Sequence, residues 1–136
     1  MKTVQKSLSI STNKRCQMLD ITGKVQSAVS DSGMKNGHAI VYCPHTTAAI
    51  TINENADPSV VHDILLMLDE LVPPNHSGYR HSEGNSDAHV KSTLVGCSEH
   101  ILISDGSLNL GMWQGVFFCE FDGPRSRNVI VQVTGE

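Results

Sequence analysis

"HILISDGSLNLGMWQGVFFCEFDGPRSRNVIVQV", residues 100–133, consists of three β-favouring runs separated by turn signals, and its reading decides the fold. Asp105-Gly106 marks a hairpin turn after the first run, because this pair tolerates the positive φ that tight turns require. Gly123-Pro124 marks a second turn after "LNLGMWQGVFFCEF", read here as one strand. In the last run Val129, Val131 and Val133 alternate with other residues, so they share one face of a strand. Consecutive strands joined by short turns pair antiparallel.

Upstream, "TVQKSLSIS" keeps Val4, Leu8 and Ile10 in strand parity, with Lys6 interrupting. Met18, Ile21, Val25 and Ala28 recur every three or four residues before Gly33, which predicts an amphipathic helix with a glycine stop despite Gly23. "HAIVYC" is a compact β run, and "TTAAITI" resumes it with Ala48, Ile50 and Ile52 on one face. Pro44 interrupts between them, so His45 sits at a break in extended chain. "DPSVVHDILLMLDELV", residues 57–72, predicts a helix capped by Asp57 with Pro58 at its first position. Its predicted buried stripe is Val60, Val61, Ile64, Leu65, Leu68, Leu71 and Val72. Pro73-Pro74 ends it, and a polar loop around Tyr79 follows as far as Asp87. "AHVKSTLVG" then suits a short helix closed by Gly96. The reading is one α+β domain over residues 1–136, β-sandwich-like, with mostly antiparallel sheets and two main helices.

Composition narrows the function. The formal charge is −4 and the ten Lys and Arg are scattered, which leaves no basic footprint for nucleic acid. The longest aliphatic run, "ILLML", is far shorter than the roughly 20 residues that span a bilayer. The four cysteines form no C-x-x-C pair and "MKTVQKSLSI" lacks a leader's apolar run, a pattern that predicts a reduced, cytoplasmic chain.

Four stretches carry candidate chemistry. "HSEGNSDAH" places His81 and His89 eight residues apart across Gly84, so a turn of the loop can aim both imidazoles at one point. With His45 they would make the three-ligand set of an open zinc site, whereas the plainer reading is a solvated loop. "INEN" ends a strand in polar side chains, where Glu54 suits a general base and Asn55 a substrate contact, or both serve cap and turn bonding. "GMWQG" flanks Trp113 with glycines and admits a close approach to the backbone, with Trp113 as a flat wall and Gln114 as a hydrogen-bonding group. The alternative is a core tryptophan. "GPRSR" offers Arg125 and Arg127 to a phosphate, or merely to solvent. His38, His62, His76 and His100 read as edge, helix-surface or loop residues.

"HTTAAITINENADP", "EGNSDAHVKSTLVG", "SEHILISDGSLNLGMWQGVFFCEFDGPRSR" and the terminal "TGE" together resemble the YjbQ-like family, from about Leu8 to Glu136. Met112 stands where family members usually carry Thr, and the loop after Gly84 is shorter than in some relatives, with Ser86-Asp87 replacing a more acidic segment. The resemblance implies a β-sandwich α+β fold assembled as a homotrimer with pockets at the subunit contacts. It also implies that His45, Glu54, Asn55, Asp57, His81, His89, Trp113, Gln114 and Glu120 are the pocket residues. It further implies thiamine phosphate synthase activity, joining a pyrimidine methyl diphosphate to a thiazole phosphate with release of pyrophosphate.

In that reading His45, His81 and His89 hold a divalent ion, Zn or Mg, and Glu54, His81 and His89 are catalytic. Trp113 stacks on the pyrimidine, Glu54 or Asn55 binds its amino group, Gln114 is a further substrate contact, and Lys91 with Arg125 or Arg127 meets the phosphates, assigned by charge alone. The alternatives are a metal-dependent hydrolase and a non-catalytic trimer that binds a small molecule or metal. All three take a small ligand, phosphorylated in the first.

Overall fold

The computed structural model describes residues 1–136. The elements in chain order are β1 (Lys2–Ser11), β2 (Gln17–Asp20), α1 (Thr22–Ser32), β3 (Gly37–Tyr42), β4 (Ala48–Glu54), α2 (Pro58–Leu71), α3 (Ser86–Val95), β5 (Ser98–Ser104), β6 (Ser107–Leu108), β7 (Gln114–Glu120) and β8 (Ser126–Gly135). They form a five-stranded sheet, β1-β8-β3-β5-β6, and a three-stranded sheet, β2-β7-β4, with every pair antiparallel. The α+β sandwich expected from the sequence is therefore present, with α1 and α2 as its two main helices and the short helix closed by Gly96 as α3.

The main core lies between the sheets. Ala39, Val41, Ile101, Ile103, Val129, Val131 and Val133 from the large sheet meet Ala48, Ile50, Val116 and Phe118 from the small one, and Val25, Ala28 and Val29 of α1 join them. The small sheet is covered on its other face too. Ala49, Phe117, Cys119 and Met18 pack there with Ala88 of α3, and Val61, Ile64, Leu65 and Leu68 of α2 lie partly buried against them. This is why β7 reads as a nearly continuous apolar run instead of alternating.

Three expectations change. Met18 belongs to β2, not to a helix, and α1 begins only at Thr22, whose N–H donates to Asp20 Oδ1 at 2.9 Å. The run "LNLGMWQGVFFCEF" is two strands, because a turn at Met112-Trp113 separates β6 from β7. The stripe of α2 is only partly buried: Val60, Val61, Ile64, Leu65 and Leu68 are half-covered, Leu71 is exposed, and only Val72 just beyond the helix is fully buried. The end signals read correctly there, since Asp57 Oδ1 accepts from the Ser59 N–H at 2.9 Å and Pro58 occupies the first turn. The Asp105-Gly106 turn also forms as expected, with φ of 51° and 78°.

Candidate functional site

The chain between β3 and β4, residues 43–47, cannot continue the sheet, since Pro44 supplies no N–H. It forms one wall of a cavity of about 450 Å³ with His45, Thr46 and Thr47. The opposite wall is the 81–89 segment, contributing His81, Glu83, Asn85 and His89, and the chain after β7 adds Asp122, Arg125 and Arg127. Apart from Pro44, every lining residue carries a polar or charged side chain. His81 on the loop and His89, which the structure places in α3 and not in the loop, both line one cavity with His45. The rings of His81 and His89 lie edge to face with centroids 5.4 Å apart.

The three imidazoles do not, however, form a metal-ligand set as they stand. Nε2 of His45 accepts the backbone N–H of Asn128 at 3.0 Å, so its lone pair is engaged. A neutral imidazole with Nε2 as acceptor carries its proton on Nδ1, leaving His45 only a donor to offer the cavity. Burial and the neighbouring Arg127 cation both push the His45 pKa down, which keeps the ring in that neutral form. No group of three or more His, Cys, Asp or Glu side chains is arranged to hold an ion. The zinc or magnesium site expected from His45, His81 and His89 does not fit these residues as they stand.

The cavity instead presents donors. Arg127 is almost fully buried and directs Nε at 2.9 Å and Nη2 at 2.5 Å to the carboxylate of Glu120, with Nη2 also 2.9 Å from Thr47 Oγ1. Arg125 donates from Nε to the Asp122 carbonyl at 2.7 Å and from Nη2 to Asp122 Oδ2 at 2.9 Å. Each guanidinium therefore keeps Nη1 without a protein acceptor. The N–H groups of Thr46 and Thr47 likewise make no backbone hydrogen bond. Two carboxylates also face the space: Asp122 is satisfied by Arg125 and Asn85, and Glu83 lies 3.7 Å from His81 Nε2.

Lys91 is elsewhere. It is fully buried beneath α3, donating to Asp69 at 2.5 Å and Asp87 at 3.1 Å, while Arg15 meets the other side of Asp87 through two bonds of 3.1 and 2.9 Å. Burial alone would raise the Asp87 pKa, but the Arg15 and Lys91 bonds outweigh it and hold the group below the usual carboxylate range. The expected role of Lys91 as a phosphate contact is replaced by a structural one. Its network anchors the head of α3, and with it Asn85 and His89.

The remaining predicted residues form a second group. Glu54 is paired with Gln114 at one end of the β4/β7 ladder, and Ala48 with Glu120 at the other. Seven strand residues span about 20 Å, so Glu54, Asn55, Trp113 and Gln114 stand that far from the histidine cavity within one chain. Their polar groups are occupied locally. Glu54 Oε2 accepts the Asp57 N–H at 3.2 Å, Asn55 Nδ2 donates to Asp20 Oδ2 at 3.1 Å, and Gln114 Oε1 accepts the Gly111 N–H at 2.8 Å. Trp113 is 60% exposed, so it is neither core nor a wall of the cavity.

The close approach predicted at "GMWQG" is real, and the approaching group is the Asn55 side chain. A Cβ on Gly115 would lie 2.5 Å from Asn55 Nδ2 and 2.8 Å from its Cβ. Gly115→Ala is expected to displace Asn55 from Asp20 and to lower stability by about 1–3 kcal/mol, as overpacking does. A denaturant midpoint unchanged from the parent would contradict that packing.

Thr46, Thr47, Asn85 and Asp122 escaped sequence reasoning. The available signal was "PHTT", a polar run inserted between two apolar strands.

The YjbQ family model, described as UPF0047 protein YjbQ-like, matches residues 6–136. The UPF0047 protein MJ1081 of Methanocaldococcus jannaschii is 58% identical over 93% of this chain and 91% of its own. The UPF0047 protein YugU of Bacillus subtilis is 52% identical over 96% and 98%. A solved Clostridium acetobutylicum protein of the YjbQ/UPF0047 family superposes with a TM-score of 0.93 at 52% identity, covering 95% of this chain and 99% of that one. A solved YbjQ-like protein of unknown function from Sulfolobus solfataricus gives 0.95 at 34% identity, covering 99% of each.

These findings overturn the thiamine phosphate synthase assignment: the relatives carry a family designation without that activity, and the solved neighbour is described as of unknown function. Geometry agrees, since Trp113 and Asn55 cannot hold a pyrimidine in the chamber that contains Arg125 and Arg127 of the same chain. The metal-dependent hydrolase, its alternative, lacks the ligand set it required. Through the whole-chain match and these relatives, the chain belongs to the UPF0047 protein YjbQ-like family.

Proposed function

We propose that this protein binds a small phosphorylated molecule in the cavity between the 44–47 segment, the head of α3 and Arg125–Arg127. The observation that carries the reading is the pair of guanidiniums, Arg127 fixed through Nε and Nη2 by the Glu120 carboxylate and Arg125 through Nε by the Asp122 carbonyl and Nη2 by its carboxylate, each with Nη1 free of protein partners. Arginine held in this way is a preorganised donor for phosphate oxygens, because its rotamer freedom is already restricted. His45 supports the same reading as a neutral donor, and the many polar side chains of the wall suit a strongly hydrated anionic group.

Titration calorimetry with inorganic phosphate and with a phosphate monoester tests it. The parent chain should show saturable heats that weaken as salt rises. Arg125→Ala is the informative variant, since Asp122 keeps its bond from Asn85 at 2.8 Å and the fold is left intact. Loss of a charge-assisted bond of about 1.5–3 kcal/mol predicts roughly ten- to hundredfold weaker binding. Equal affinity in parent and variant, or no heat with either ligand, would overturn the reading.

A further inference from the structure

We infer that the molecule held in this cavity carries, beside its phosphate, a hydroxyl or amino group that donates a hydrogen bond to Asn85. This rests on the phosphate reading above and narrows its ligand class. Asn85 is 7% exposed and forms part of the cavity wall where α3 begins. Its backbone carbonyl accepts the N–H groups of Ala88 at 3.0 Å and His89 at 3.3 Å, so the residue is fixed from its main chain. Its Nδ2 donates to Asp122 Oδ2 at 2.8 Å. That bond also fixes the orientation of the amide, because a flipped side chain would set Oδ1 against a carboxylate oxygen, acceptor against acceptor.

Oδ1 is then a buried acceptor with no donor, and it is the one buried side-chain nitrogen or oxygen in the protein left so. Folded chains satisfy such atoms almost without exception, and an orphan calls for an explanation. The nearby donors are committed elsewhere: Arg125 uses Nε and Nη2 on Asp122, and Arg127 uses Nε and Nη2 on Glu120 and Thr47. Their Nη1 groups are the donors assigned to phosphate. Asn85 lines a chamber that also holds the Glu83 and Asp122 carboxylates, so a ligand there meets acceptors as well as donors. A ligand made only of acceptors would leave it unpaired, whereas a phosphate ester bearing a hydroxyl or amine a few bonds from phosphorus satisfies both sets.

Glycerol phosphate and propyl phosphate test this directly, because they share charge and a three-carbon chain and differ only in hydroxyls. By calorimetry the parent chain should bind glycerol phosphate about tenfold or more tightly than propyl phosphate, the discrimination expected when one analogue leaves a buried polar group unpaired. Asn85→Ala should bind the two within about twofold of each other while keeping its affinity for propyl phosphate. Should that variant fail to fold, Asn85→Ser, which suits a helix N-cap, withdraws the same acceptor. The comparison in the parent chain stands without either variant. Equal binding of both esters by the parent would overturn the Asn85 inference and leave the phosphate reading standing, and so would a preference that persists without Asn85. Failure of the parent to bind either ester or inorganic phosphate would overturn both.

Discussion

Glu120→Ala is expected to lose about 3–5 kcal/mol of stability, the largest effect of any single polar substitution in this chain. Glu120 is fully buried and accepts four hydrogen bonds: from Arg127 Nε at 2.9 Å and Nη2 at 2.5 Å, from Thr12 Oγ1 at 2.8 Å and from the Asp122 N–H at 3.1 Å. Its removal leaves the Arg127 guanidinium in the interior with only Thr47 as a partner, and an uncompensated buried cation is the costly outcome. Urea unfolding checks it, with a midpoint lower by roughly 2 M for a slope of about 2 kcal/mol per molar. The pH dependence has a definite sign. Burial alone would raise the Glu120 pKa, but the bonds from Arg127 and Thr12 outweigh burial and hold it below the ordinary value. A carboxylate so depressed contributes stability that is fully present above its unfolded pKa of about 4.3 and is lost as pH falls through the folded value. The gap between parent and variant should therefore close on the acid side. A loss below about 1 kcal/mol at neutral pH would show that the pair is not sealed from water.

The second large effect is expected beneath α3. Asp87→Ala removes the carboxylate that Lys91 and Arg15 share, leaving buried Lys91 with Asp69 alone. About 3 kcal/mol of destabilisation follows. Adding Lys91→Met should restore part of it, because no buried ammonium then remains. In a double-mutant cycle the combined loss should fall short of the sum of the single losses by about 1 kcal/mol or more. Simple additivity would mean that the network is wet and the two groups independent. Since the same helix carries Asn85 and His89, both single variants should also weaken phosphate binding.

The fold was legible in the sequence wherever one face of an element is buried. Val129, Val131 and Val133 alternate because β8 has a single core face, and Asp105-Gly106 announces its turn because so few residue pairs accept that backbone. Met18 misled because a strand residue fell by chance at helical spacing from Ile21 and Val25. The α2 stripe misled for another reason: periodicity reports an apolar face, not how much of it its neighbours can cover. At the site, spacing suggested one loop for His81 and His89; His89 lies in α3, yet the two do share a cavity. Spacing could not tell that the Asn128 N–H occupies His45 Nε2, which changes that ring from ligand to donor. Nor could it separate Glu54 from His45, nine residues apart in sequence and at opposite ends of one strand. The network of Arg15, Asp69, Asp87 and Lys91 left only the four-residue interval between its last two members as a sign.

The place of β8 has a consequence for the order of events during synthesis. It lies between β1 and β3 and pairs Lys2 with Gly135 and Ser11 with Ser126, so β1 waits for a strand translated long after it. A nascent chain grown only as far as Phe121 already has the residues of all three helices and of the small β2-β7-β4 sheet, while β1 has no neighbour. Pairing β1 with β8 closes a loop that takes in every other element, the kind of contact that makes folding slow. The cavity shares that timing: Arg125 and Arg127 are translated with the start of β8, so the pocket cannot exist before the large sheet does.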